Sequence, residues 1–316
     1  MWLVLDRPGL TLGYEGAALL IREPGQPVRS APVRQLERVV AGPRLEISAG
    51  VLGLLAEHGV SLLVLNHRHP ERTAELVAHE AANTRRRLAQ YAFLQADGSR
   101  QAWARAVVSL KVRRQRALLA RARQARPDVP LGGVLRRLAA IEAQLAEPAG
   151  TLPLPTLRGL EGAAAAAYFE GYPRLFAPAL GFTQRRRRPP PDPVNACLSL
   201  GYTLLHAEAS GAARVAGLDP LLGGFHDPAY GGNALASDLI EPLRPALDAW
   251  VWELFREGTL RREHFRREDD ACFLQRHAQG VFYEAIHERL RVWRRLLRRY
   301  ARRFAAWLPE AAEPAA

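Results

Sequence analysis

Lysine is almost missing from this chain: of 44 Lys and Arg residues, Lys111 is the only lysine. An anionic partner must therefore be met by arginine, whose planar guanidinium grips two oxygens at once. Cysteine is nearly as scarce. Cys197 and Cys272 are the only two in 316 residues, too few for a disulfide scaffold and without metal-type spacing. Long hydrophobic runs are absent as well. None approaches the roughly 18–20 residues of a membrane span. The opening residues, Met1 to Asp6, lack the basic segment and long apolar core of a secretory leader. No internal repeat is found. These absences point to a reducing, cytoplasmic setting with no membrane partner.

What is present argues for a folded, anion-seeking protein. Hydrophobic residues make up 48% of the chain, ample for a core. The length suits one large domain or two ordinary ones. Net charge is +12. A bias of Arg over Lys explains the ratio of the two, but not the excess of cations. Such an excess suits a polyanion: nucleic acid, an anionic membrane surface or an acidic partner.

Patterning divides the chain. Short apolar runs at Trp2 to Leu5, Ala17 to Ile21 and Val60 to Leu65, punctuated by Pro and Gly, predict strands. Gly9 to Tyr14 reads as a strand leaving a turn. Ser48 to His58 predicts a helix with Ser48 as its N-cap. Beyond about residue 72, Ala/Leu/Arg stretches at helical period take over. Examples are Ala102 to Arg123, with Val107, Leu110, Leu118 and Leu119 as candidate core, and Leu131 to Leu145. The expected fold is α+β: a small β-rich domain over residues 1–72, an all-α domain over 73–308, and a disordered tail over 309–316.

Two basic segments stand out. Arg185 to Arg188 falls in a loop ahead of three prolines, where a solvated loop and a phosphate contact are equally good readings. Arg289 to Arg303 is a basic amphipathic helix with Leu290, Trp293, Leu297, Tyr300 and Phe304 on one stripe. Docking through that stripe is favoured over a membrane, partner or DNA-facing role.

The acidic residues carry the chemistry. His226 follows a glycine-rich turn. Asp238 and Glu241, three apart, share a face of a helical turn. His226 precedes Glu241 by fifteen residues (241 − 226), and a loop of that length can bring the imidazole back beside the carboxylates. Two carboxylates and one imidazole suit Mg²⁺ or Mn²⁺ better than zinc. Each residue also has an ordinary explanation, as a hydrogen-bonded histidine or a helix-dipole acid. Upstream, Glu161 opens a small-residue helix, and periodicity alone does not bring it to His226.

Several segments together resemble one family, the CRISPR-associated adaptation integrases, which insert new spacers into CRISPR arrays. Ser109 to Gln115 is similar to that family's Lys-x-x-x-Gln helix, and Leu160 to Ala163 to the segment of its first metal-binding glutamate. Arg188 to Tyr202 resembles its Arg-Pro-Pro…Asp-Pro-x-Asn-Ala-x-Leu-Ser-x-x-Tyr signature. Gly224 to His226 and Ser237 to Pro245 resemble the histidine and final acidic segments. The resemblance implies Glu161, His226 and Glu241 as ligands of Mg²⁺ or Mn²⁺ and Asp238 as a nearby acid. The family's last ligand is Asp or Glu, so the choice between Asp238 and Glu241 stays open. Asn195 and Tyr202 are expected to support the catalytic glutamate, and Arg186, Arg188 and Arg244 to contact DNA.

The implied activity is metal-dependent DNA transesterification, in which a protospacer 3′-hydroxyl attacks a phosphodiester at the repeat border without ATP. Endonuclease activity would accompany it. The implied partners are double-stranded protospacer and repeat DNA, a second copy in a homodimer, and a small ferredoxin-like CRISPR adaptation protein. The β-rich domain would serve dimerisation and DNA-end handling. A non-catalytic DNA-binding scaffold and a metal-dependent repair nuclease are the alternatives.

Overall fold

The computed structural model describes residues 1–66, 72–77, 83–147, 152–187, 189–228 and 232–308. Arg188, the tail from 309, and residues 67–71 lie outside the described residues. The chain divides into two compact units, Met1–Glu80 and Ala81–Ala316.

Among the described residues, the first unit holds two four-stranded sheets and one α-helix. Strands β1 (Trp2–Leu5), β2 (Thr11–Glu15), β3 (Ala18–Arg22), β4 (Arg29–Pro32), β5 (Arg38–Ala41) and β6 (Glu46–Ile47) precede helix α1 (Ala49–Glu57). Strands β7 (Ser61–Val64) and β8 (Ala74–Leu76) follow. One sheet runs β1-β5-β7-β8 and the other β4-β3-β2-β6. In the first, β5 pairs in parallel with β1 and β7 and is buried along its whole length. A strand covered on both faces carries apolar residues in sequence rather than in alternation, as Val39-Val40-Ala41 does. Arg38 stays buried because it pairs with Glu75 at 3.3 Å. Leu12, Leu19 and Ile21 from the second sheet join Leu5, Val39 and Leu62 from the first in one core, closed by Val51 and Leu55 of α1. Ser48 does hold the N-cap position of α1, though its hydroxyl makes no capping bond.

The second unit is mainly helical: α2 (Thr84–Gln95), α3 (Asp97–Ala125), α4 (Gly132–Ala146), α5 (Leu154–Gly171), α6 (Pro193–Val215), α7 (Ala234–Ile240), α8 (Arg244–Arg256) and α9 (Arg276–Ala305). It also holds an antiparallel hairpin of β9 (Phe265–Glu268) and β10 (Ala271–Leu274), an addition to the all-α expectation. Helix α3 packs on α4, α5 and α8, while α6 packs on α7, α8 and α9. Of the expected α3 core, Val107, Leu118 and Leu119 are buried and Leu110 is half-buried. The apolar stripe of α9 is core: Leu290, Trp293, Leu297 and Phe304 are buried, and Tyr300 half-buried. The stripe is spent on packing, as the docked reading requires. Among the described residues no helix is long and apolar enough to cross a membrane.

Candidate active site

Helix α3 is the spine of the site. Arg100, Trp103, Lys111 and Arg114 recur at helical spacing, so they lie along one stripe. Each reaches a different piece of the acidic machinery. Arg100 Nε donates to the Gly224 carbonyl at 2.9 Å. The Trp103 indole donates to Asp238 at 3.2 Å. Lys111 lies between Glu161 and Glu241. Arg114 donates to the carbonyl of Pro242 at 2.7 Å, tying the turn that carries Glu241 to α3.

Glu161 departs from the sequence expectation. It sits in the middle of α5 rather than at its start, because the helix already begins at Leu154 with Pro155 in its first turn. It therefore owes nothing to the helix N-terminus. Its side chain, 24% exposed, reaches the Lys111 ammonium.

The segment before His226 approaches its neighbours too closely for side chains. A Cβ on Gly223 would lie 2.7 Å from the Ala234 backbone, and one on Gly224 would lie 2.5 Å from the Trp103 ring. The glycines let the chain pass over the start of α7, where Asp238 waits. Asp238 is wholly buried. Its Oδ2 accepts from the backbone N–H groups of Gly224 (2.7 Å) and Phe225 (2.9 Å) and from Trp103. Its Oδ1 accepts from the His226 backbone N–H (2.9 Å) and from ring Nδ1 (2.8 Å). Five donors occupy this carboxylate, leaving no lone pair for a cation.

The consequence falls on His226. With its Nδ1 proton on Asp238, the ring presents the Nε2 lone pair. Nε2 stands 3.9 Å from Glu241 Oε1. Asp238 and Glu241, three residues apart, thus straddle one imidazole. At 37% the histidine is the most open member of the group, and Glu241 at 4% is nearly sealed. Next to it, Asp227 pairs with Arg100 and Arg158, and Arg158 also donates to the Phe225 carbonyl at 3.2 Å.

Glu241 opens the turn between α7 and α8. Its Oε1 accepts from Arg244 Nε at 2.7 Å. Its buried Oε2 is held by the Lys111 ammonium at 2.5 Å. Burial pushes this carboxyl up, but the Arg244 and Lys111 cations outweigh burial and hold it at about 2. Among the described residues no three His, Cys, Asp or Glu side chains form a closed metal cage. Between Glu161 and Glu241 stands an ammonium, a cation where a cation would be wanted. The donor chemistry fits a hard divalent ion: two carboxylates that already share one cation, and an imidazole nitrogen held ready.

A buried polar layer backs Arg244. Its guanidinium lies 4.6 Å over the Tyr202 ring. Tyr202 and Tyr168 hydroxyls both donate to Asp248, and Tyr172 donates to the Asp248 backbone carbonyl at 2.8 Å. Burial raises the Asp248 carboxyl to about 6, against these hydrogen bonds. Tyr202 thus stands behind the cation that grips Glu241. Asn195 works elsewhere. It accepts from Arg185 (2.8 Å) and from the Arg186 backbone N–H (2.9 Å), and donates to the Gln184 carbonyl (2.9 Å), so it shapes the arginine loop. The Arg186 side chain is exposed, on a groove also lined by Arg262, Arg266 and Arg267. Arg244 is committed to Glu241 and Tyr202. Lys111, marked in the sequence by the Lys-x-x-x-Gln resemblance and by being the sole lysine, is the site residue missing from the expected set.

The chain is similar to known proteins along nearly its whole length. A CRISPR-associated endonuclease Cas1 of Thermodesulfovibrio yellowstonii is 30% identical over 306 residues, 95% of each chain. One from Thermus thermophilus is 36% identical over 294 residues, 92% of this chain and 87% of its own. A solved casposase bound to integration product shares the fold, with a TM-score of 0.81 at 20% identity, covering 100% of this chain and 96% of that one. Residues 3–288 match the family model described as CRISPR associated protein Cas1, and the chain belongs to the Cas1 family.

Proposed function

We propose that this chain is a CRISPR adaptation integrase with endonuclease activity, joining DNA 3′-hydroxyl ends into a repeat–spacer array. The observation that carries the reading is the meeting of Glu161 and Glu241, distant along the chain, on one ammonium, with His226 Nε2 alongside. Membership of a family whose relatives are named endonucleases supports it.

Glu161, Glu241 and His226 are the residues that would hold Mg²⁺ or Mn²⁺. When bound, the ion supplies Lewis-acid stabilisation of the charge that builds on the phosphoryl oxygens. Asp238 keeps the His226 ring in one orientation and tautomer. Arg244 keeps Glu241 ionised and fixed. His226, at the open side of the group, holds a lone pair for the ion or for a proton of the attacking hydroxyl. The groove of Arg186, Arg262, Arg266 and Arg267 suits a phosphate backbone. Protospacer and repeat DNA are its partners in this reading, in the cytoplasm. Joining both ends of a fragment needs two such centres, hence a homodimer and a small ferredoxin-like adaptation protein to bridge copies.

The test is direct. With Mn²⁺ the chain should nick DNA and join 3′-hydroxyl ends. Glu161→Ala should cut turnover by roughly two orders of magnitude or more while leaving the fold intact. Full activity in that variant rejects the site. DNA binding without turnover in any metal would mark a scaffold. Equal action on linear duplexes and branched half-sites would mark a repair nuclease.

A further inference from the structure

We propose that Lys111 is the resident counter-cation of the active site: it bridges Glu161 and Glu241 before an ion enters, competes with that ion for both carboxylates, and turns to the DNA phosphate once displaced. The proposal rests on the metal reading above.

Three observations carry it. The first is composition. In a chain that uses arginine at every other basic position, the one lysine stands between the two glutamates. Guanidinium is a planar fork suited to both oxygens of a single carboxylate, whereas ammonium is a compact point charge that can bridge oxygens of two carboxylates, as a metal ion does.

The second is the division of labour on Glu241. Arg244 holds Oε1 by a directed hydrogen bond, backed by Tyr202. Oε2 is held by the Lys111 ammonium, which it shares with Glu161. One oxygen is fixed and the other is exchangeable.

The third is burial. The Lys111 side chain is 9% exposed. A buried ammonium that loses its carboxylates must find another anion, since leaving it unpaired is costly. The anion this site receives is the phosphodiester. Around the glutamates, Lys111 and Arg244 already match two negative charges with two positive ones. With a divalent ion added, the surplus of positive charge favours a phosphoryl group as it gains charge in its transition state over the singly charged ground state.

The experiment measures Mn²⁺ binding by calorimetry and melting temperature in the whole chain without DNA, then turnover at saturating Mn²⁺. Lys111→Met should melt lower than wild type without metal and gain more on adding Mn²⁺. It should bind Mn²⁺ at least about tenfold more tightly, because a like charge a few ångströms away is gone. Its turnover should nevertheless fall at least about a hundredfold. Unchanged or weaker Mn²⁺ binding overturns the proposal, and undiminished turnover overturns the phosphate role.

Lys111→Arg gives a second reading and decides alone if Lys111→Met does not fold. A guanidinium fork is harder to displace, so Mn²⁺ should bind more weakly than to wild type. Binding as tight as wild type overturns the proposal. Glu161→Ala separates the two levels. If it binds Mn²⁺ as wild type does, the metal reading falls and this proposal with it. If binding needs Glu161 but ignores Lys111→Met, this proposal alone falls.

Discussion

Asp238→Asn is the substitution whose effect follows most fully from geometry. The carboxylate accepts five hydrogen bonds, three on Oδ2 and two on Oδ1. An asparagine has the same shape but one acceptor oxygen. The least costly orientation turns the NH₂ to the Oδ1 side, where the His226 backbone N–H becomes a repulsive contact while the imidazole can switch tautomer so that Nδ1 accepts. Hydrogen bonds to a charged group contribute roughly 1.5–3 kcal/mol each, and a buried donor left without a partner adds its own cost. Losing one sets a floor of about 1.5 kcal/mol. For a unit of this size, that is roughly 3–6 °C in melting temperature. The same change frees the imidazole, since the amide no longer fixes the Nδ1 proton. Thermal denaturation followed by circular dichroism should show the drop, and DNA nicking at a temperature where the variant is folded should fall well below wild type. A variant that melts within about 1 °C of wild type and nicks DNA normally would refute the assignment of five donors to this carboxylate.

Two further expectations concern acid. Glu241 is held at about 2 instead of its ordinary 4.5, so its ionised form stabilises the fold by about 3 kcal/mol above pH 4.5. That contribution fades as pH falls towards 2, and the stability gap between wild type and Glu241→Gln, measured by urea denaturation, should close over the same window. Asp248 has the opposite sign. Raised by burial from 3.8 to about 6, it favours the folded state in its protonated form, so stability from this group grows as pH falls from about 6 to about 4; Asp248→Asn should flatten that limb, and an unchanged slope would refute the assignment.

Legibility varied with how local the cause was. Strands β1, β3 and β7 are apolar runs with turn residues on either side, and the sequence marks them. Strand β5 is a short run whose first residue is an arginine, which enters the core paired with Glu75 and lying over the Trp2 ring. Strands β4 and β6 are short and mostly exposed, so no alternation advertises them. The hairpin β9–β10 hides behind Arg266, Arg267 and Glu268, with Asp269 at φ 51° making the turn. At the site, the motifs single out Glu161, His226, Asp238 and Glu241, but spacing says nothing of their order of burial. That Asp238 is saturated and Glu241 is not depends on Trp103 and on two glycines whose contacts span the fold. The Lys-x-x-x-Gln resemblance marks Lys111 but not its role, because its partners come from α5 and from the turn after α7.

The stripe along α3 also constrains how the gene can vary in length. An extra residue between Trp103 and Lys111 would rotate the second half of the helix by about 100° and advance it by about 1.5 Å. Lys111 would then leave Glu161 and Glu241, and Arg114 the Pro242 carbonyl, while Arg100 and Trp103 kept their partners. Point changes in that interval can be absorbed one contact at a time. Insertions and deletions cannot, and sequence drift in this protein should keep the stretch from Arg100 to Arg114 at constant length while the loops on either side grow or shrink.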